Sequence, residues 1–387
     1  MDKISIIVAY RNRDLLRVKR FLNSLNNQTN KDFELIFVDS GTELLLANEI
    51  EKQVSSYSFA KYIYNDSRGK DFNRSLFLNI GAKIATGDFF YFTDIDLIFH
   101  EGFVNHLHSL KNEYSQVYTR VYMINEKFKN YDDIFNSDVN SNSELNHTSG
   151  KGWLMVPKTV FYEIGGYDEY YTDWGVEDND IYIRLCQYGL KETWTDHTKF
   201  PVYHQWHPSN ERFHIFPEKW LDDISFHYII NQKKLKRNLD FGKWVKTEDR
   251  TILAILNNNS NIPTIEIAPF GLVATKTLHY RKIWDWLSEE NIRCFKIIVP
   301  VFRIPKMSFA QSFLATIFTK ILKAFNSPYS LQYFQKKERH KYFLPEEDIK
   351  WFFRKLVKET NLINDYYIME TDDKIIYYVE KSSSVIK

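Results

Sequence analysis

Cysteine is scarce in this chain, and its scarcity excludes two kinds of architecture. Only two cysteines, Cys186 and Cys294, occur among 387 residues, and they lie in unrelated sequence contexts. Two such residues supply neither a disulfide framework nor a cysteine-ligated zinc site. The cysteine content therefore fits a reducing compartment.

Long apolar runs are also missing. The first one, residues 4–9, is too short for a secretory signal and is followed at once by Arg11 and Arg13. No other stretch reaches the roughly 20 apolar residues that a transmembrane helix needs. We therefore expect a cytoplasmic protein, which leaves open a peripheral position on the cytoplasmic face of an inner membrane.

An excess of either charge is absent as well. Fifty-one Lys and Arg residues oppose 50 Asp and Glu residues, so nothing attracts the chain to nucleic acid, and we expect no nucleic-acid partner. What the chain does have is 44% hydrophobic residues, enough for a sizeable core. Its 387 residues predict two domains, or one large domain with an appendage.

Strand-like and helix-like patterns alternate at the start of the chain. They predict strands at 4–9, 33–38, 62–64 and 89–93, and helices at 14–26, 43–55 and 75–85. This order predicts an α/β fold with a doubly wound, mostly parallel sheet. Residues 128–149, rich in Asn, Asp and Ser, are predicted to form a long loop.

The pattern resets near residues 239–249. We predict a first domain over residues 1–240 and a smaller C-terminal α/β or α+β domain over residues 250–387. The predicted strands of the smaller domain are 251–256, 295–301, 366–370 and 374–379, and its predicted helices lie around 280–288, 309–325 and 346–359.

Two carboxylates follow the aromatic strand at 89–93. Asp94 and Asp96 stand one residue apart at its C-terminal end, where an open α/β sheet binds its ligands. Ionised carboxylates in such a place need a partner, and a divalent metal is the usual one. The alternative is a solvated turn that ends the strand.

Cations and a third acid follow other strand ends. Arg11 and Arg13 come directly after the first strand, and Arg68 and Arg74 flank a later loop. Arginine binds diphosphate oxygens bidentately, although ordinary surface arginines would give the same pattern. Asp39 closes the second strand, where it would either accept a hydrogen bond from a nucleobase or ribose or cap the next helix.

Two further groups lie in the second half of the first domain. Glu177 and Asp178 begin a predicted helix just after Trp174. A carboxylate held there could serve as a general base beside an aromatic that stacks on sugar, or the acids could simply cap the helix. His204 and His207, three residues apart, are a plausible metal-ligand pair, though a lone histidine is usually structural.

Taken together and in order, these motifs resemble the GT-A glycosyltransferases. The similarity is greatest to the beta-1,4-galactosyltransferase type, to the catalytic domains of chondroitin-type polymerases and to bacterial family 2-like inverting enzymes, and it covers roughly residues 1–240. The stretches that carry it are AYRNRD (9–14), FNRSLFLNIGA (72–82), FTDIDLI (92–98), the segment 152–185 from GWLMVP to IYIRL, and YHQWHP (203–208).

The resemblance implies a role for each residue of the donor and metal sites. Positions that would contact the donor nucleotide are Arg11, Arg13, Asp39, Arg68, Arg74 and Asp94. Asp96 would bind Mn²⁺ (or Mg²⁺) directly. His207 occupies the place of the metal-ligating histidine in galactosyltransferases, whereas polymerase-like relatives place that ligand at His204, so either histidine could be the ligand.

The resemblance also implies the acceptor side and the reaction. Glu177 and Asp178 match the acidic pair at the acceptor site, with Asp178 as the catalytic base, and Trp174 matches an aromatic that packs on the sugars. The implied activity is inverting transfer of a hexose, and the resemblance points to galactose or N-acetylgalactosamine as that sugar. The sugar would move from a UDP-sugar to a glycan or lipid-linked acceptor in bacterial surface polysaccharide synthesis (capsule or lipopolysaccharide).

Two other functions compete with this one. A catalytically silent glycan-binding or scaffold protein on the same fold would have no physical need for all four acids at 94, 96, 177 and 178. A metal-dependent nucleotidyltransferase would also use acidic strand ends, but it would have little need for the DWGVEDND segment or the histidine pair.

The C-terminal third resembles no family. Residues 291–341 carry ten Lys or Arg against one acid, Glu338, and apolar residues recur at helical spacing within 309–325. That pattern would suit docking on an anionic membrane, but we favour the alternative, a helix packed inside a small α/β domain.

Overall fold

The computed structural model describes residues 3–137, 139–146, 151–173, 176–208, 218–258, 261–267, 273–301 and 345–382. The chain divides into two compact units. The first contains the described residues up to 208 together with Leu221–Asp249, and the second contains residues 218–220 and the described residues from 250 onwards. The separate roles given to residues 1–240 and 250–387 stay predictions.

The first unit is built on a mostly parallel sheet of seven described strands, in the order β10-β6-β9-β4-β1-β2-β3. Only β9 runs antiparallel to its two neighbours, so the predicted doubly wound α/β sheet is confirmed. The strands are β1 Ile4–Tyr10, β2 Phe33–Asp39, β3 Ala60–Tyr64, β4 Phe89–Thr93, β6 Ser115–Tyr118, β9 Leu154–Pro157 and β10 Lys191–Trp194.

Helices cover both faces of this sheet. Their bounds are α1 Leu15–Asn26, α2 Leu44–Ser55, α3 Arg74–Ile84, α4 Phe103–Leu110, α5 Lys158–Glu163 and α6 Glu177–Tyr188. Helix α7, Glu218–Asn231, follows them in the chain. Successive residues of the central strands point to opposite faces, so Ile6 joins one apolar core and Ile7 the other. Each fully buried side chain of this size stabilises the fold by roughly 1.5–3 kcal/mol.

A small sheet extends the acidic end of β4. Its described strands are β5 Leu97–Phe99, β11 Val202–His204, β7 Tyr122–Ile124 and β8 Ser143–Leu145, paired in that order. The loop predicted at 128–149 is therefore only partly irregular, since β8 pairs with β7 in an antiparallel ladder. Two 3₁₀ turns, Tyr131–Asp133 and Asn140–Asn142, precede β8.

The second unit has its own sheet, with described strands in the order β12-β13-β15-β14. The strands are β12 Thr264–Glu266, β13 Cys294–Pro300, β14 Ile363–Glu370 and β15 Lys374–Lys381, and the helices are α8 Thr251–Asn258, α9 Val273–Ser288 and α10 Pro345–Glu359. Three of its four strands run antiparallel to a neighbour.

One strand predicted in this unit is wrong. Residues 251–256 are apolar and partly β-branched, but they form the start of the helix α8. A short apolar run cannot by itself distinguish a buried strand from a helix. The carboxylate of Asp365 accepts the backbone N–H of Ile252 at 3.4 Å, which favours a helix start at this position.

Membrane-spanning helices are absent from the described part of the chain. None of the described helices is both long enough and apolar enough to cross a bilayer.

Candidate functional site

Asp96 and two histidines meet where β4 gives way to the small sheet. Strand β5 begins directly after Asp96 and pairs antiparallel with β11, so that Leu97 lies opposite His204. The Gln205 backbone N–H donates to the Asp96 carbonyl at 2.8 Å and extends this ladder. As a result, the Nε2 atoms of His204 and His207 each lie 3.4 Å from Asp96 Oδ2.

The orientation of His207 is set by its other ring nitrogen. Its Nδ1 lies 3.1 Å from the Pro208 carbonyl, which can only accept a hydrogen bond. In the neutral tautomer that donates from Nδ1, the Nε2 lone pair is available to a metal ion held by Asp96. In the protonated imidazole, Nε2 donates to Asp96 Oδ2 instead, and this is the form that lowers the pKa of Asp96.

The donor atoms of this cluster fit a divalent metal ion. One carboxylate oxygen and two imidazole nitrogens lie within 4.8 Å of one another. The second carboxylate oxygen, Asp96 Oδ1, is buried and has no hydrogen-bond partner among the described residues. Burial alone would raise the pKa of Asp96, but the adjacent His204 and His207 hold it well below its usual range. The carboxylate is therefore ionised and has a free ligand atom.

Asp94 faces away from that cluster, toward Arg74 and Trp153. Arg74 Nε lies 3.2 Å from Asp94 Oδ1, and Trp153 Nε1 donates to Asp94 Oδ2 at 2.8 Å. The two acids of the triplet are thus divided between two sites. Asp96 belongs to the histidine cluster, and Asp94 belongs to the hydrogen-bond network of Arg74.

Arg74 connects the end of β4 with the start of α6. Besides Asp94, its guanidinium donates to Asp178 Oδ1 at 3.1 Å and to the Gly152 carbonyl at 2.9 Å. Arg74 is the first residue of α3, and the side chain of Asn73 caps that helix by accepting the Leu76 N–H. A single arginine therefore holds two of the predicted site carboxylates, one on either side of it.

The first turn of α6 carries Glu177 and Asp178 as predicted. Burial, and next the Asp178 carboxylate, raise the pKa of Glu177 to about 7. Burial also raises the pKa of Asp178, against the opposing effect of Arg74. Glu177 Oε2 is buried without a hydrogen-bond partner in the described residues. Carboxylates with raised pKa values at the edge of a strand-end site are candidates for proton transfer.

Gly152 allows Asp178 its position. A Cβ atom at residue 152 would lie 2.9 Å from Asp178 Oδ2, so the carboxylate would have to shift from its present position. Gly152 and Trp153 had no role in the sequence-based site. Their place at the head of the 152–185 stretch was the available signal, but their contacts depend on side-chain directions that no spacing rule supplies.

Asp180, the third acid of the α6 start, has a different environment. It is buried and accepts from Arg184 at 2.7 Å and from Arg237 at 2.6 Å. Arg184 also donates to the carbonyls of Ile164 and Gly166. Both oxygens of Asp180 are thus committed to fixing α6 in the unit, although Glu177 and Asp178 stand only three and two residues earlier in the same turn.

The predicted donor-side cations differ in what they contact. Arg11 donates to the carbonyls of Ser40, Ser67 and Lys70 at 2.5–3.2 Å, which ties together the loops after β2 and β3. Arg68 forms an ion pair with the buried Asp66 at 2.7 Å. Arg13 has no ion pair within the described residues, so its guanidinium is available to a ligand.

Asp39 is fully buried at the end of β2. Its oxygens accept the Thr42 backbone N–H and the Tyr62 hydroxyl, each at 2.8 Å, and burial raises its pKa. Among the described residues, Asp39 thus fixes the turn before α2, whose N-cap residue Glu43 makes no side-chain cap hydrogen bond, so the structure does not contain the helix cap that was the alternative to a nucleotide contact. Trp174 lies outside the described residues, and so does the segment 309–325, for which a packed helix and membrane docking were the alternatives.

Two protein-family models match the first unit. Residues 5–167 match the family described as Glycosyl transferase family 2, and residues 133–208 match the N-terminal domain of galactosyltransferase. The two matches overlap and together include every predicted site residue. The predicted resemblance to GT-A glycosyltransferases is confirmed, because residues 5–208 are similar to two glycosyltransferase families.

Solved structures of glycosyltransferases are similar in a limited way. One, of GalNAc-T7 with UDP, GalNAc and Mn²⁺, shares 15% identity at a TM-score of 0.43, over 54% of this chain and 44% of that one. Another, of S. aureus TarS residues 1–349 with UDP-GlcNAc, shares 14% identity at a TM-score of 0.42, over 54% of this chain and 60% of that one. The present chain thus matches less than two thirds of either.

Proposed function

We propose, from the match of residues 5–167 to Glycosyl transferase family 2, that this protein is a metal-dependent inverting glycosyltransferase. The observation that carries the proposal is the arrangement around β4. The metal-ligand cluster contains Asp96, which is separated from Asp94 by one residue. Arg74 in turn joins Asp94 to the candidate base Asp178. Sugar transfer needs stabilisation of the leaving group and removal of a proton from the acceptor. The residues proposed for these two tasks thus lie close together.

The donor is proposed to be a UDP-sugar, with galactose or N-acetylgalactosamine as the sugar. The match of residues 133–208 to a galactosyltransferase domain supports this choice. Arg13, which has no ion pair in the described residues, and Arg74 are proposed to contact the diphosphate. Asp39, Arg68 and Arg11 shape the same strand ends through their own hydrogen bonds.

The metal is proposed to be Mn²⁺ rather than Mg²⁺. Asp96, His204 and His207 would hold it together, since the structure brings both histidines to the same carboxylate. Two imidazole nitrogens favour a transition metal, whereas Mg²⁺ prefers an all-oxygen shell. When bound, the ion would act as a Lewis acid toward the charge that develops on the diphosphate.

The residues of the chain define the remaining steps. Asp178 accepts the proton of the acceptor hydroxyl while that oxygen forms a bond to the anomeric carbon. The bond from that carbon to the diphosphate oxygen breaks on the opposite face, and its electron pair leaves with UDP, so the configuration inverts. Arg74 limits the motion of Asp178 and balances its charge, while burial keeps the Asp178 carboxylate basic.

The acceptor is proposed to be a glycan or a lipid-linked saccharide of bacterial surface polysaccharide synthesis, such as capsule or lipopolysaccharide. A position at the cytoplasmic face of a membrane belongs to the same proposal, because lipid-linked acceptors reside there. The family resemblance of the acceptor-side motif at 173–180 supports this part.

A donor screen tests the proposal. The full chain is incubated with UDP-galactose, UDP-N-acetylgalactosamine, UDP-glucose or UDP-N-acetylglucosamine, each with Mn²⁺, Mg²⁺ or EDTA, and released UDP is measured. We expect UDP release from one or two donors, strongest with Mn²⁺ and absent with EDTA. Binding of the donors without any UDP release would instead indicate a silent glycan-binding protein. Pyrophosphate release from UTP and a sugar phosphate would indicate a nucleotidyltransferase.

A further inference from the structure

An apolar and basic surface lies at the end of α7. We call it the 226–239 surface, and it consists of four exposed apolar residues, Phe226, Ile229, Ile230 and Leu239, and three exposed lysines, Lys233, Lys234 and Lys236. The apolar side chains are 65%, 65%, 60% and 95% exposed, respectively. Single exposed apolar residues are normal on a protein, but a cluster of four calls for an explanation.

Helix geometry places three of these residues on one side. Phe226, Ile229 and Ile230 are spaced i, i+3 and i+4, so they form one outward stripe. The opposite side is packed, since Ile224 is buried and His227 contacts Asp168 through Nε2 at 2.8 Å. The outward stripe is therefore a separate face and not the edge of the core.

Lysines dominate the charge beyond the C-terminal end of the stripe, while Asp222, four residues before Phe226 on the same side of α7, is an exposed acid. Residues 224–239 contain no Asp or Glu, and their three lysines are exposed. Their one arginine, Arg237, is not part of this charge because it is committed to the buried Asp180 at 2.6 Å. The surface thus offers a hydrocarbon cluster beside three ammonium groups, with Asp222 at its N-terminal edge and Asp240, which is paired with Lys83, directly after Leu239.

The surface is firmly attached to the first unit. Arg237 also donates to the carbonyls of Asn231 and Lys234, which fixes the turn that follows α7. Because Arg237 is paired with Asp180, this turn is joined to α6, the helix that begins with Glu177 and Asp178. Whatever binds the 226–239 surface is held in a fixed relation to the candidate base.

We propose that the 226–239 surface docks on an anionic lipid bilayer. Apolar side chains enter the boundary between head groups and acyl chains, while the lysine stems cover apolar surface and keep their charges at the lipid phosphates. A protein partner fits less well, because the cores of protein–protein interfaces are depleted in lysine. The inference deepens the proposed function by naming the surface that meets the membrane, and its test does not depend on sugar transfer.

Vesicle binding by the full-length chain tests the proposal. The chain is sedimented with vesicles of phosphatidylcholine alone or with an equal share of phosphatidylglycerol, at low and at high salt. We expect binding to the anionic vesicles only, weakened by salt. Because each lysine near an anionic surface contributes roughly fivefold, K233Q/K234Q/K236Q should reduce partitioning on the order of a hundredfold. The single variant I229S, with one exposed side chain changed, should weaken binding at both salt concentrations.

A matched control uses another exposed apolar and basic surface of the chain. Leu278 and Trp284 on α9 are 66% and 45% exposed beside Arg281 and Lys282, and Asp285 and two glutamates follow them closely. The variant L278S/W284S/R281Q/K282Q should bind vesicles as the unchanged chain does.

Three results would overturn the proposal. They are equal binding to neutral vesicles, no binding to anionic vesicles, and equal losses in the 226–239 and α9 variants. Sedimentation of the protein without lipid provides a fourth such result. If the unchanged chain forms a dimer, if I229S dissociates it, and if vesicle binding is unchanged, this face is a contact between two copies of the chain. Sugar-transfer measurements on the same variants, with a soluble acceptor, should be unaffected.

Discussion

Asp96 in the first unit and Asp365 in the second are both buried aspartates, yet they differ in whether both carboxylate oxygens have hydrogen-bond partners. Asp365 accepts from Arg250 Nε at 3.2 and 3.0 Å, from Ile252 N–H and from Tyr366 N–H. Asp96 faces two imidazoles at 3.4 Å and leaves Oδ1 without a partner in the described residues. A buried carboxylate whose partners are complete serves the fold, and one with an open atom is available to a ligand.

The same distinction holds along α6. Asp180 is enclosed by two arginines, whereas Glu177, three residues earlier, has a buried oxygen without a partner. Asp178 lies between these extremes, because Arg74 contacts one of its oxygens and Gly152 leaves room beside the other. Completeness of hydrogen bonding thus separates structural acids from candidate functional acids, even within a single helical turn.

The strongest test of the contrast is Asp96→Ala. Loss of the one carboxylate ligand should reduce Mn²⁺ affinity by several kcal/mol, about a thousandfold or more, because two imidazoles alone neutralise no charge. Calorimetric titration of Mn²⁺ into the full chain measures this change. Asp240→Ala, at an acid whose side chain is 84% exposed, is the control and should bind Mn²⁺ normally. Unchanged Mn²⁺ affinity in Asp96→Ala would contradict the metal assignment.

Asp178→Asn separates proton transfer from metal binding. We expect a fall of about 10²–10⁴ in the rate of sugar transfer, the usual contribution of a positioned general base. Mn²⁺-dependent UDP binding should persist, since Asp178 lies outside the Asp96–His204–His207 cluster. Turnover and UDP affinity are to be measured on the same preparation. Near-normal turnover would show that another group removes the proton.

Asp365→Asn should lower the stability of the fold and leave Mn²⁺ binding unchanged, the opposite of what we expect for Asp96→Ala. Removing this carboxylate leaves the Arg250 guanidinium buried without its counter-charge, which costs about 3–5 kcal/mol of unfolding free energy. Urea unfolding of the full chain measures the loss, with Asp373→Asn at an exposed acid as the control. Mn²⁺ affinity of the folded protein should not change. A stable Asp365→Asn variant would break the contrast between the two buried aspartates.

Sequence reasoning gave most of the first unit correctly because its signals are local. Strand β4 matches its predicted bounds of 89–93, and Asp14, at the start of the predicted first helix, caps α1. It failed at 251–256, where a carboxylate more than 100 residues away favours a helix. Such a long-range contact leaves no trace in the periodicity of the run.

Some features of the candidate site could likewise be predicted from the sequence, and others could not. The residue types and their order predicted Asp96 together with a histidine, and the structure brings both histidines to it. The joint contact of Arg74 with Asp94, Asp178 and Gly152 was not predicted, because it depends on where one long side chain points. The same reason explains Arg11, whose guanidinium turns toward loop carbonyls.

Glu177→Gln tests the incomplete acid of α6 through its pH dependence. The pKa of Glu177 is raised from 4.5 to about 7 by burial and by Asp178, with Arg74 opposing and Asp94 adding to the effect. Because the folded pKa exceeds the unfolded one, the folded chain binds more protons between these values, and stability falls as pH rises from about 4.5 to about 7. The slope is at most about 1.4 kcal/mol per pH unit.

Glutamine at 177 should remove this slope and leave the variant relatively more stable at pH 7 than at pH 5. Unfolding free energies at half-unit steps of pH measure the difference between the two proteins. Glu126→Gln, a change at an exposed glutamate, corrects for the general effect of losing one negative charge. Parallel stability curves for Glu177→Gln and the unchanged chain would mean that Glu177 is ionised at pH 5 in the folded state. The Glu177 carboxylate would then have partners for both of its oxygens, and the contrast with Asp180 would not hold.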